Sequence, residues 1–339
     1  MKIVTFGEIM LRLSPANYGR FVQADSFCAT YGGGEANVAV SLASFGLDAA
    51  FVTKLPANEI GQAAVNSLRR YGVDVSGIVR GGDRTGIYFL ERGASQRPSK
   101  VVYDRAGSAI AECAPNDFDW DKIFAGADWF HFTGITPALS ENAFAACLAA
   151  AKSAKSKNLT VSCDLNYRKN LWSRERANQK MTELIKYVDV CIANEEDAKD
   201  VFGIEAGGTD ITTGKISREG YKDVAEKLVK RFGLKCAAIT LRESLSASDN
   251  NWAAMLYNGK EFFFSKKYAV RVVDRVGGGD SFGAGLIYAM LCGNTPQDSV
   301  EFATAASALK HTIEGDFNLV SVDEVKKLAA GDGSGRVQR

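Results

Sequence analysis

Short apolar runs recur along the chain with helical patterns between them, and this rhythm predicts the fold. Residues 3–6, 50–53, 129–132, 160–163, 188–193 and 236–241 are short, mainly apolar runs, the mark of strands buried on both faces. Apolar residues spaced for one helix face occupy 34–45, 61–71, 141–156, 174–186 and 221–232. Strand alternating with helix predicts an α/β fold, a doubly wound and mainly parallel sheet covered by helices on both sides. Two segments, about 8–27 and 84–106, break the rhythm with two-faced strands, as at 86–91 and 100–105. They predict a small antiparallel β lid inserted into one α/β domain spanning 1–330.

Residues 204–220, rich in Gly and Thr, predict an exposed loop, and the Gly-rich 331–339 a disordered tail. Hydrophobic residues at 46% and charged residues at 24% suit a large core. Lys plus Arg number 41 and Asp plus Glu 40, so the net charge of +1 gives no footprint for nucleic acid or for an anionic membrane. The seven cysteines form no CxxC pair and are odd in number, which predicts reduced thiols and a cytoplasmic protein. Only His131 and His311 are present, so no zinc-type ligand set is expected, whereas a hard cation held by oxygens is compatible. Glu8 and Arg12 interrupt the N-terminal apolar stretch too early for a signal peptide or a membrane span.

The strongest chemical signal runs from Asp274 through Gly277, Gly278, Gly279 and Asp280 into an apolar helix. Glycines at a helix start let backbone N–H groups approach an anion, and the helix dipole favours negative charge there. An aspartate beside such an anion makes sense as a base next to a phosphoryl group under attack; the plainer alternative is a helix-capping Asp after a glycine turn. A second glycine run, Gly32-Gly33-Gly34, opens the helix that carries Asn37, whose amide offers donors and an acceptor. It serves either a ligand or helix packing. It is no dinucleotide fingerprint, because Asn37 stands where a glycine is required and the preceding segment does not read as the needed strand.

Strand ends supply the third set. Asp164, Asn166 and Arg168 alternate past one apolar run, and Asn194 to Asp197 follow the next, where open parallel sheets bind ligands. Gly208 to Lys215 imitates a phosphate loop, but five residues separate its glycines and Ile216 replaces Ser or Thr.

The two glycine motifs, in this order, resemble those of the ribokinase-like (PfkB) carbohydrate kinases, over about 2–325. Within that family, Tyr88, Tyr103, Asp104, Arg105 and the run Asp164 to Arg168, followed by Leu171 and Trp172, are most similar to 2-keto-3-deoxygluconate kinases. The resemblance implies a ribokinase-like three-layer fold and ATP with Mg²⁺ as cofactors. It leaves room for a monovalent cation, and we expect a homodimer joined through the lid. It also implies Asp280 as catalytic base and the N–H groups of Gly277, Gly278 and Gly279 as anion hole. Sugar contacts would come from Gly34, Asn37, Tyr88, Tyr103, Arg105, Asp164 and Arg168. Nucleotide contacts would come from Asn194, Thr240 and Arg242, with Asn194 and Asp197 reaching the metal through water.

Departures from the family pattern are Arg275 for Thr, Gly278 for Ala, Asp197 for Glu, and 241–247 in place of a glycine-containing nucleotide loop. The expected activity is phosphorylation of a sugar acid, with 2-keto-3-deoxygluconate giving its 6-phosphate. A fructokinase or ribokinase on a neutral sugar and a non-catalytic sugar or nucleotide sensor are the alternatives.

Overall fold

The computed structural model describes residues 1–194, 196–206 and 218–335. Its strands are β1 (Lys2–Phe6), β2 (Met10–Ser14), β3 (Cys28–Gly32), β4 (Asp48–Leu55), β5 (Ile78–Arg80), β6 (Ile87–Glu91) and β7 (Lys100–Asp104). There follow β8 (Trp129–Thr133), β9 (Thr160–Asp164), β10 (Val190–Ala193), β11 (Cys236–Ser244), β12 (Asp249–Tyr257), β13 (Phe262–Phe264) and β14 (Tyr268–Arg271). The helices are α1 (Gly34–Ser44), α2 (Glu59–Arg69), α3 (Trp120–Ile123), α4 (Glu141–Ser156) and α5 (Arg174–Leu184). After them come α6 (Asp197–Phe202), α7 (Arg218–Phe232), α8 (Gly278–Leu291), α9 (Pro296–Lys310) and α10 (Val322–Ala330).

The main sheet runs β13-β12-β11-β10-β9-β8-β1-β4-β5, with β14 paired to β12. From β5 to β11 every pairing is parallel, and β12 to β14 extend it antiparallel. Successive residues enter opposite cores, as strand geometry requires. Val4 and Phe6 join the face covered by α4, α5 and α7, while Ile3 joins the face covered by α1, α8 and α9. Sequence order turns back at β1, which lies between β4 and β8, so loops after β1 and β8 diverge and open a crevice at the strands' carboxyl ends.

The second sheet, ordered β3-β2-β6-β7, is the lid. It differs from expectation in two respects. β2 and β6 pair in parallel, so the lid is a mixed sheet. The segment before Gly33 is a lid strand, β3, which carries the insertion from residue 27 to Gly32. The hairpin strands β12 to β14 and helices α9 and α10 lie beyond the predicted elements. Most of the 204–220 loop and all of the Gly208 to Lys215 stretch fall on 207–217, outside the described residues, as does 336–339 of the tail; contrary to the loop expectation, Ile204 is buried and residues 218–220 open α7. All seven cysteines are free. No helix among the described residues is long and apolar enough to cross a membrane.

Candidate active site

A cleft of about 360 Å³ lies between the lid and the carboxyl ends of the main sheet, and every site residue named from the sequence lines it. Its floor is the start of α8. Gly277 is the helix N-cap at φ +84°, a left-handed conformation that favours glycine, and a Cβ there would lie 2.1 Å from the Asp316 carbonyl oxygen. At Gly278 a Cβ would strike the His311 ring at 2.5 Å, whereas at Gly279 it would meet nothing within 4 Å. Two of the glycines therefore let the chain pack, and the third leaves the helix terminus open to a ligand.

Asp280 lies in the first turn of α8 rather than at its cap, and its Oδ2 accepts a 2.7 Å hydrogen bond from Asn37 Nδ2. Asn37 Oδ1 in turn accepts from the Gly33 N–H at 3.2 Å. Asn37 thus orients the aspartate. Burial pushes the Asp280 carboxyl up to about 6, with Asn37 pulling the other way, so it is a stronger base than an ordinary aspartate. The same glycine run serves packing as well. A Cβ at Gly32 would meet the Asp316 carboxylate at 2.0 Å and one at Gly33 the Glu8 carbonyl at 1.9 Å, while Gly34 lies over Thr133 and Asp280.

Below Gly34, Glu35 is wholly enclosed, and its Oε1 accepts from the Thr133 N–H, the Thr133 hydroxyl and the Thr136 hydroxyl at 2.7 to 3.0 Å. Burial raises its pKa to about 7. It anchors α1 to the end of β8.

β9 ends at Asp164, and Asn166 adopts φ +39°, so Asp164, Asn166 and Arg168 meet at the cleft through a turn and not by strand alternation. Burial, Asp197 and Asp280 raise Asp164 well above the usual carboxylate range. Asn194 Oδ1 accepts from the N–H groups of Glu196 and Asp197, and Asp197 accepts from those of Asn194 and Tyr167. Asn194 Oδ1 is therefore filled, and the pair pins the β10 and β9 turns together. The Nδ2 of Asn194 and a second acceptor position on each Asp197 oxygen are left for a ligand or its waters.

The lid supplies Tyr88, Tyr103 and Arg105. Arg105 does not pair with Asp104, which bonds Arg84 at 2.9 Å; its Nε and Nη2 instead hold the buried Glu8 carboxylate. The guanidinium lies 5.2 Å from the Tyr103 ring centroid. Tyr88 donates to Asp316.

At the other end of the cleft, Thr240 and Arg242 of β11 line the wall with Arg275, which donates a long 3.4 Å bond to the Ser246 carbonyl. Burial, and then the neighbouring Arg242, lower the Arg275 pKa. Two cations facing each other suit an anion between them.

Sequence reasoning missed Glu8, Arg12, Glu35, Arg275 and Asp316. Arg275 was visible as a cation inside the glycine motif. Arg12 and Asp316 gave no local sign, since Arg12 finds Asp274 and Asp316 at 262 and 304 residues' distance along the chain.

For a bound nucleotide the residues fit, with open helix N–H groups, two facing arginines and the free amide of Asn194. For a metal, no group of three His, Cys, Asp or Glu side chains is gathered among the described residues. An ion held by substrate phosphates and water suits the cleft better than one caged by protein.

A 2-dehydro-3-deoxygluconokinase structure from Thermotoga maritima is 55% identical to this chain, with a TM-score of 0.94 over 98% of this chain and 100% of the other. A 2-dehydro-3-deoxygalactonokinase of Haloferax volcanii is 31% identical over 98% of both chains. A 2-dehydro-3-deoxygluconokinase of Bacillus subtilis is 30% identical over 96% of this chain and 94% of its own. The family model for pfkB family carbohydrate kinases matches residues 1–319, and with its glycine-opened α8, its Asp280 and its β lid, the chain belongs to that family.

Proposed function

We propose that the protein transfers the terminal phosphoryl group of ATP to the 6-hydroxyl of 2-keto-3-deoxygluconate. The observation that carries this reading is Asp280, held by Asn37 at the mouth of an open helix N-terminus. The hydroxyl oxygen attacks the phosphorus, its proton passes to Asp280, and the bond to the ADP oxygen breaks. A carboxyl near 6 is ionised at neutral pH and accepts the proton as attack acidifies the alcohol. The N–H groups of Gly277, Gly278 and Gly279 meet the charge that develops on the transferring group. Mg²⁺, bound with ATP, would neutralise phosphate charge. Asn194, Thr240 and Arg242 hold the nucleotide, with Arg275 beside them. The scheme leaves room for a monovalent cation.

Tyr88, Tyr103 and the lid's Arg105 hold the sugar from above; Gly34, Asp164 and Arg168 hold it from below. The sugar carboxylate meets Arg168, whose Nη1 donates to the Tyr167 carbonyl, and the outer nitrogen of Arg105 that Glu8 leaves free. The Glu8–Arg105 pair is the one observation that favours a neutral sugar, because it halves the positive charge available. Intact Asp280 and the open glycine terminus disfavour a non-catalytic sensor. We further read residues 1–330 as one kinase domain that works in the cytoplasm and dimerises through the lid.

ADP release, measured with 2-keto-3-deoxygluconate, 2-keto-3-deoxygalactonate, fructose and ribose, tests the assignment. The sugar acids should give the far higher kcat/KM. A preference for fructose or ribose would overturn it.

A further inference from the structure

Arg12 lies in the middle of lid strand β2, across from Tyr88 of β6, and is only 3% exposed. Its two terminal guanidinium nitrogens reach out of the lid to carboxylates on other segments. Nη2 meets Asp274 at 2.6 Å, Nη1 meets Asp316 at 2.7 Å, and Nε is held by Ser14 at 3.0 Å. Burial opposes the charge, but the two carboxylates outweigh it and keep the group a cation.

Both carboxylates belong to the segments that shape the anion hole. Asp274 accepts from the N–H groups of Val276 and Gly315, fixing the turn that leads into Gly277. The Asp316 carbonyl lies directly under Gly277, and its carboxylate also takes the Tyr88 hydroxyl. Val276 packs on the lid residues Met10, Tyr88 and Leu90. Arg12 itself does not line the cleft.

We propose that Arg12 is a positioning residue which ties the setting of the lid sheet to the geometry of the anion hole, so that sugar and nucleotide bind with positive coupling. A guanidinium and two carboxylates sealed from water resist separation, because each would be left as an unpaired buried charge. The lid therefore cannot shift without moving the loops at 274–277 and 315–316 with it. A sugar that fixes Tyr88, Tyr103 and Arg105 fixes those loops, and the nucleotide then meets an ordered anion hole. The coupling must be reciprocal.

This inference rests on the sugar-acid kinase reading, and the test separates the two. Calorimetry on the full chain would give the Kd of 2-keto-3-deoxygluconate with and without a saturating non-hydrolysable ATP analogue and Mg²⁺, and the converse. In the wild type each ligand should tighten the other by about 10-fold. In Arg12→Lys, which keeps the charge but reaches one carboxylate, and in Arg12→Gln, the coupling should fall to within about twofold of none. Each ligand alone should still bind within about threefold of wild type, and kcat should drop by about 10-fold or more.

A purely structural role would instead lower Tm and weaken both ligands while leaving the coupling intact, and that result overturns the proposal. So does a wild type without coupling, which needs no variant to fold. A wild type that binds the nucleotide but not this sugar acid overturns the substrate reading alone, and the coupling is then measured with the sugar that the substrate panel identifies.

Discussion

Asn37 and Asp280 stand 243 residues apart and meet across a 2.7 Å hydrogen bond, so the two glycine runs form one structure. The first run lets α1 approach Asp316 and Glu8 closely enough to present Asn37, and the second lets α8 open beneath the ligand. Neither glycine run is sufficient alone.

Removing the base should separate chemistry from binding. Asp280→Asn is expected to lower kcat by about 100- to 10,000-fold while calorimetric sugar binding stays nearly intact. A kcat within a few-fold of wild type would remove Asp280 from its role.

The same substitution should stabilise the unliganded protein at high pH. The folded pKa of Asp280, about 6, lies above its ordinary 3.8. Its contribution to stability is therefore fully present below 3.8 and is lost as pH rises through 6, leaving an ionised group that costs up to about 3 kcal/mol. Asp280→Asn should raise Tm by a few degrees at pH 8 and not at pH 4, as scanning calorimetry would read.

Activity should follow the ionised base. The acid limb of kcat/KM is expected near pH 6, and Asn37→Ala should move it to higher pH, because the lost amide bond lowers the Asp280 pKa more than either neighbouring cation, Arg168 or Lys310, does. A limb near pH 4 in the wild type would contradict the burial that sets this value.

Charge in the sugar pocket is tested at Arg105. Arg105→Ala should cut kcat/KM for the sugar acid by about 10- to 100-fold, equivalent to roughly 1.5–3 kcal/mol, and that for neutral sugars much less. Equal losses on both would mean that Arg105 serves only to neutralise Glu8 and hold the lid.

The nucleotide end has its own test. Arg242→Ala should raise KM for ATP by about 10-fold and leave KM for the sugar near wild type, since one of two facing cations is lost from the phosphate side of the cleft.

The lid edge should form the dimer contact. All five residues of β7 are exposed, among them Val101, Val102 and Tyr103, and an uncovered apolar edge strand favours pairing with another chain. Light scattering at micromolar concentration should give twice the chain mass, and Val102→Asp should reduce it to one. A monomeric wild type would end this reading.

The layered α/β class and the lid were legible in the sequence, as was the candidate base Asp280, because each leaves a local signal. Apolar runs such as 129–132 and 160–163 have few alternatives to buried strands, and three glycines before an aspartate at a helix start suit either an anion site or a capped glycine turn. Only the tertiary structure decided the charge pattern. Arg105 and Asp104 are neighbours in sequence, yet their opposed side chains find Glu8 and Arg84. Asp197 follows a strand end in sequence, and only the fold shows it bridging the N–H groups of Asn194 and Tyr167. Arg12, two residues from Met10 in an ordinary lid strand, reaches loops near the far end of the chain. The ion pairs of Arg12 and Arg105 join segments that burial forces together, and one sequence window contains only one partner of each. The pKa of Asp280 belongs to the same class, since desolvation is a property of the assembled cleft and no residue carries it alone.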